Sequence, residues 1–145
     1  MPLYFAYGSN MDMAAMARRC PASRPLGLAR LAGYRFAILQ AGYATVVRDA
    51  KSTVHGILYD LALADVPALD RYEDIARGLY RKVSQPVLRV EGGPVQALIY
   101  IGAGASEGRP GRGYMEGVIA AARTAGLPEA YLAFLCTFAA GNRTR

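Results

Sequence analysis

The chain has 145 residues, 53% of them hydrophobic and 19% charged. That is enough apolar material for one globular domain with a real core, and it argues against disorder. The net charge of +6 comes from basic residues scattered along the chain, which suits solubility and a mild pull on small acidic molecules rather than a nucleic-acid stripe.

Residues 2–7 (PLYFAY) read as a buried strand that stops abruptly at Gly8. Ser9 and Asn10 follow, and Asn10 is placed to cap a helix with Met11, Ala14, Ala15 and Arg18 at helical spacing. Cys20-Pro21 ends it. Residues 26–39 predict one long strand or two short ones, broken at Gly33. Residues 43–48 and 54–61 predict two further strands, rich in β-branched and aromatic side chains. Residues 63–76 carry a helical pattern through Leu63, Val66, Leu69 and Tyr72/Glu73, with Asp65 as its N-cap and Pro67 in its first turn.

Gly78 then releases the chain. Residues 79–90 and 94–102 flank Gly92-Gly93 and read as a hairpin. A glycine-rich loop spans 103–113 and carries Arg109 and Arg112, and it reads either as a segment that tunes a neighbouring site or as a plain mobile surface loop. A helix is predicted over 114–126, and Pro128 starts a last one. There are no internal repeats and no shift in composition, so residues 1–145 are expected to form a single domain. Strands arrive in groups, which argues against a doubly wound sheet. The expectation is an α+β fold with a mixed, strongly curved sheet or barrel and flanking helices. Glycines at 33, 42 and 56 supply the bends that a closing barrel needs.

Most familiar chemistries lack their residues. One histidine, His55, sits inside an apolar strand, and the two cysteines, Cys20 and Cys136, stand far apart. No metal site is expected from that set, nor a disulfide framework, and the chain reads as a reduced cytoplasmic protein. No phosphate loop, GxGxxG or GxSxG motif occurs. The first residues lack the basic segment of a signal peptide, and the apolar run from Tyr131 to Ala140 is too short to span a membrane. That run fits either a monomer core or the face of a homodimer.

Two features remain. In YGSN (7–10) a strand enters a helix, so backbone N–H groups point outward, either as a plain tight turn or as a cradle for an anion. LDRYEDI (69–75) holds Asp70, Glu73 and Asp74. Glu73 follows the apolar series, so either it turns inward, with a raised pKa and a capacity to move protons, or it pairs with Arg77 one turn on.

Together these stretches resemble the gamma-glutamylcyclotransferase (AIG2-like) family. The resemblance runs through YFAYGSNM, VHGILYDL and LDRYEDIARGLYRKV, and less sharply through LARLAGYRFAI, the run at 42–46, Tyr114 and AGLPEAYLAFL. It implies a mixed β-barrel with helices around it, no cofactor, and a small γ-glutamyl compound as substrate. It puts the catalytic glutamate on Glu73 and the substrate loop on Tyr4, Phe5, Ala6, Tyr7, Gly8, Ser9 and Asn10. Pocket tyrosines are implied at Tyr80 and Tyr114. Asp74 departs from the family pattern, where glycine often follows the glutamate. The implied reaction closes the γ-glutamyl group on its own α-amino nitrogen, releasing 5-oxoproline and an amine. A barrel that binds an acidic metabolite or a protein partner without turnover is the competing reading.

Overall fold

The computed structural model describes residues 2–73, 78–103 and 107–143, with residues 140–143 described by their backbone alone. Strand β1 (Leu3–Ala6) opens the chain, followed by a 3₁₀ turn (Ser9–Met11) and helix α1 (Met13–Arg19). Two long strands, β2 (Arg24–Ile38) and β3 (Ala44–Asp60), come next. A second 3₁₀ turn (Leu63–Asp65) leads into helix α2 (Val66–Tyr72), then strands β4 (Tyr80–Arg89) and β5 (Pro94–Gly102), and helices α3 (Tyr114–Ala125) and α4 (Glu129–Arg143).

The strands close into a barrel in the order β1-β3-β2-β4-β5. Four of its pairings are antiparallel, and the one between β1 and β5, at Tyr4 and Leu98, is parallel. The sheet is therefore mixed and curved onto itself, as the grouped strands predicted. Closure depends on bends in β2, where the register with β3 shifts at Pro25/Gly27 and again at Ala32/Tyr34. Gly33, with φ +83°, occupies the second shift, a conformation that a residue with a Cβ adopts only at a cost.

Several elements differ from the sequence expectation. The two strands expected over 43–61 are one continuous strand. The polar residues between them keep pairing because β2 is long enough to match β3 from Arg24/Asp60 to Ile38/Ala44. Gly42 lies in the turn between these strands and not inside either. Asn10 does not cap α1. Asp12 does, accepting the N–H of Ala15 at 3.1 Å, while Asn10 sits buried in the preceding 3₁₀ turn. The helix expected over 63–76 ends at Tyr72 in the described residues, and Glu73 caps it through its N–H to the Leu69 carbonyl. Asp65 at its start makes no cap bond. Its carboxylate instead accepts Ala22 N–H at 2.9 Å and the Ser23 hydroxyl at 2.8 Å.

The core fills the barrel and continues beneath the last two helices. Helix α3 buries Met115, Val118, Ile119 and Ala122, a helical stripe of steps three and four. It stops at Gly126, in the left-handed conformation, whose N–H returns to the carbonyls of Ala122 and Arg123. Helix α4 buries Tyr131, Leu132, Leu135 and Ala139. These residues and the barrel strands belong to one hydrophobic cluster. No helix among the described residues is long and apolar enough to cross a membrane.

Candidate active site

A cavity of about 170 Å³ opens where the end of β1 meets β3, β4, β5 and the first turn of α3. Seven of the chain's ten tyrosines line it: Tyr4, Tyr7, Tyr43, Tyr72, Tyr80, Tyr100 and Tyr114. Gly8, Ser9, Asn10, Ala44, Glu73 and Leu79 complete the wall. Tyr4, Tyr7, Tyr80 and Tyr100 are buried, whereas Tyr43 and Tyr72 stand half in solvent and form the rim. Among the described residues no group of His, Cys, Asp or Glu gathers as a metal site.

Glu73 is positioned by the end of α2. Its backbone has left the helix, at φ −87° and ψ 2°, and the half-buried carboxyl faces Asn10, with Oε2 3.5 Å from Asn10 Nδ2. Loss of solvent pushes its pKa up to about 7, while the Arg19 guanidinium pulls it back down. The carboxyl thus changes charge near neutral pH. Asp70, one turn earlier, has a different task. It accepts the Tyr100 hydroxyl at 2.6 Å and pairs with Lys82 at 3.0 Å, tying α2 to β5 and β4. Asp74 and Arg77 lie outside the described residues, and so does the expected ion pair between Glu73 and Arg77.

The loop at 8–10 is held from three sides. Asn10 donates to the Tyr4 hydroxyl at 3.0 Å, its carbonyl accepts the Tyr59 hydroxyl at 2.9 Å, and its side-chain oxygen accepts from Arg19. The Ser9 hydroxyl meets that of Tyr72 at 2.6 Å and has no histidine beside it. His55 does not line the cavity but packs on the ring of Tyr131 at 4.7 Å. The N–H groups of Gly8, Ser9 and Asn10 take no backbone acceptor among the described residues, although that of Ser9 leans toward the Tyr114 hydroxyl. A Cβ at Gly8 would approach both Ala44 Cβ and Tyr114 Oη to 3.2 Å, so the loop and the opposite wall are in close contact there.

On that opposite wall, Ala44 is gripped twice. Its N–H donates to Tyr114 Oη at 3.1 Å, and its carbonyl accepts from the Tyr80 hydroxyl. Burial pushes the Tyr114 phenol up to about 12 and also raises those of Tyr4, Tyr7, Tyr80 and Tyr100 above the ordinary phenol value. All five therefore remain neutral O–H groups at any physiological pH. The described part of the loop before α3 is laid along the β2–β3 turn, with Gly108 N–H on the Ile38 carbonyl and Gly111 N–H on that of Gly42. This anchoring delivers Tyr114 to the cavity. Arg109 and Arg112 are exposed and do not line it.

The structure thus brings Glu73, Tyr4, Tyr7, Gly8, Ser9, Asn10, Tyr80 and Tyr114 around one cavity. Phe5 and Ala6 are not in its wall. The pleat turns Phe5 into the barrel core at 0% exposure, and Ala6 packs its carbonyl against Gly56. Tyr43, Ala44, Tyr72, Leu79 and Tyr100 complete the wall without having been singled out in the sequence. Each of the five is a tyrosine or a small or apolar residue that reads as ordinary strand, helix or turn packing, so the sequence alone carried no signal for them.

The family model described as the AIG2-like family matches residues 53–135. The chain is 26% identical to the gamma-glutamylcyclotransferase of Mus musculus and 24% identical to that of Homo sapiens, in each case over 89% of this chain and 74% of the relative. A solved structure named gamma-glutamyl cyclotransferase superposes with a TM-score of 0.88 at 23% identity, over 94% of this chain and 87% of that one. A crystal structure of an uncharacterized Homo sapiens protein does so with a TM-score of 0.85 at 25% identity, over 94% and 86%.

Proposed function

The chain belongs to the AIG2-like family, and from that footing we propose that it is a cyclotransferase releasing 5-oxoproline from a small γ-glutamyl amide. The observation that carries this reading is the Glu73 carboxyl. It sits half-buried beside Asn10 in a tyrosine-walled cavity, and partial loss of solvent moves its charge change to near pH 7.

A γ-glutamyl amide contains its own nucleophile, so the enzyme's main task is to fold the substrate onto itself. The α-amino nitrogen attacks the γ-carbonyl carbon. A bond forms between them, the bond from that carbon to the amide nitrogen breaks, and the products are a five-membered lactam and a free amine. The α-ammonium gives up two protons over the reaction and the departing nitrogen gains two. Glu73 as carboxylate accepts these protons one at a time from the attacking side and passes each to the leaving side, ending as it began. A pKa of about 7 leaves it able both to take and to give a proton at neutral pH. The N–H groups at Gly8, Ser9 and Asn10 are suited to the substrate's α-carboxylate or to the developing oxyanion, and the neutral hydroxyls of Tyr4, Tyr80 and Tyr114 to its polar edges. The reading requires no cofactor, nucleic acid or membrane.

The test is direct detection of 5-oxoproline by mass spectrometry. The protein is incubated with γ-glutamyl amino acids, γ-glutamylamines and glutathione, alongside Glu73→Gln. Release by the wild type and not by the variant is expected, and the active member names the leaving group. A folded wild type that releases nothing, yet binds a panel member as well after Glu73→Gln as before, would leave a binding barrel in place of an enzyme.

A further inference from the structure

Arg19, at the last residue of α1, is half-buried beneath the loop and does not line the cavity. It makes two contacts that bracket the site. One guanidinium nitrogen donates to Asn10 Oδ1, and the guanidinium carbon Cζ lies over the Tyr72 ring, 3.6 Å from its centroid. Tyr72 immediately precedes Glu73 and holds Ser9 through its hydroxyl.

The first contact settles a direction. A side-chain amide presents an acceptor at one end and a donor at the other, and a guanidinium can only donate. The oxygen of Asn10 must therefore face Arg19. That obliges Nδ2 to face the cavity, where it meets Tyr4 Oη at 3.0 Å and Glu73 Oε2 at 3.5 Å. Because Tyr4 accepts from Asn10, its own proton remains to be donated elsewhere. Reversing the amide would set an acceptor against the carboxylate. The second contact holds the end of α2 against the same guanidinium, whose flat face covers the ring more completely than a lysine ammonium would.

We propose that Arg19 is a positioning residue of this site, orienting the Asn10 amide so that its N–H groups face Glu73 and Tyr4, and clamping the end of α2 that carries Glu73. The assignment rests on the cyclotransferase reading for its consequence in catalysis, but its geometry is testable without turnover. Facing Glu73 from the surrounding elements are Arg19 from α1 and the hydroxyls of Tyr4, Tyr7, Tyr80, Tyr100 and Tyr114. The phenols are neutral, so Arg19 supplies the cationic influence on the carboxyl from this set.

The experiment uses the full chain labelled at glutamate carboxyl carbons and asparagine side-chain nitrogens, as wild type, Arg19→Gln and Arg19→Lys, with NMR titration and steady-state kinetics. Assignment of the Glu73 and Asn10 signals comes from Glu73→Gln and Asn10→Ala. In Arg19→Gln the Glu73 midpoint moves to higher pH and the Asn10 amide signals shift. On an active substrate, kcat falls about tenfold or more with KM within about threefold, as expected for lost positioning rather than lost binding. Arg19→Lys returns both the charge and a donor, so the midpoint and the Asn10 signals return toward wild type, but the planar contact with Tyr72 is lost and kcat stays low. An Asn10 amide and a Glu73 midpoint both unmoved in folded Arg19→Gln overturn the assignment. Should that variant not fold, Arg19→Met, which keeps a stem and cannot donate, decides it, and wild-type Asn10 signals in that folded variant overturn the assignment. These signals are read without substrate, so a wild type that releases no 5-oxoproline defeats the reaction and not the positioning.

Discussion

The hydroxyl of Tyr114 accepts the backbone N–H of Ala44 at 3.1 Å, joining the first residue of α3 to the first residue of β3. Ala44 is buried, so this N–H has no recourse to water. Tyr114→Phe leaves it unpaired and is expected to cost about 1–2 kcal/mol in urea unfolding. Under the proposed reaction the same change removes a neutral donor from the cavity, and kcat/KM should fall roughly 10- to 100-fold. A variant with wild-type stability would show that the bond is not made in solution.

Glu73 gives the site a pH dependence of definite sign. As a base it must be ionised, so kcat/KM should rise with pH to a plateau with its midpoint near about 7. Stability runs the other way. The folded pKa lies above the ordinary value of 4.5, so the native state holds a proton that the unfolded chain has already released. The resulting stabilisation is fully present below the ordinary value and is lost as pH rises through about 7. Urea titrations should show Glu73→Gln with a shallower decline from pH 5 to 8 than wild type, and with the higher midpoint at pH 8.

Gly56 lies on β3 beside the end of its antiparallel pairing with β1. A Cβ there would stand 2.2 Å from the Ala6 carbonyl oxygen and 3.0 Å from Phe5 Cζ. Backbone cannot yield as a flexible side chain does, so Gly56→Ala must move β1, and the loop at 8–10 with it. A loss of about 2–3 kcal/mol is expected. Fluorescence-detected unfolding measures it, and an unchanged midpoint would contradict the close approach.

Asp65 joins distant pieces of chain. It holds Ala22 N–H and the Ser23 hydroxyl, and Ser23 in turn accepts the Ala62 N–H at 2.9 Å. Asp65→Ala orphans two of these groups near the buried entrance to α2 and should cost about 2–3 kcal/mol, more than the roughly 1 kcal/mol of a simple cap. Asp65→Asn keeps an acceptor oxygen and should recover much of the loss. Differential scanning calorimetry of the two variants distinguishes the roles.

Local patterning made much of the architecture readable. The hairpin of β4 and β5, the amphipathic stripe of α3, its glycine stop and the grouping of strands all follow from side-chain period and turn chemistry, which act over a few residues. The same is true of YGSN at the mouth of a strand and of Glu73 at the end of an apolar helical series. Errors fell where a tertiary partner outbid the local rule. Asn10 looks like a helix cap, but Arg19, Tyr4 and Glu73 surround it, so Asp12 caps instead. Asp65 looks like another cap, but the segment at 22–23 lies closer to its carboxylate.

By itself, then, the sequence determined most of the elements, the mixed curved sheet and a short set of candidate carboxylates with Glu73 among them, because composition and period act locally. Only the tertiary structure decided what surrounds that acid. Tyr43, Tyr72 and Tyr100 come from a turn, a helix and a strand far apart in the chain, and no local rule predicts that closing a barrel turns them toward one cavity. Nor does any local rule raise the pKa of Glu73. That rise is a property of removing water, and water is removed only when β1, β4, β5 and α3 meet around it.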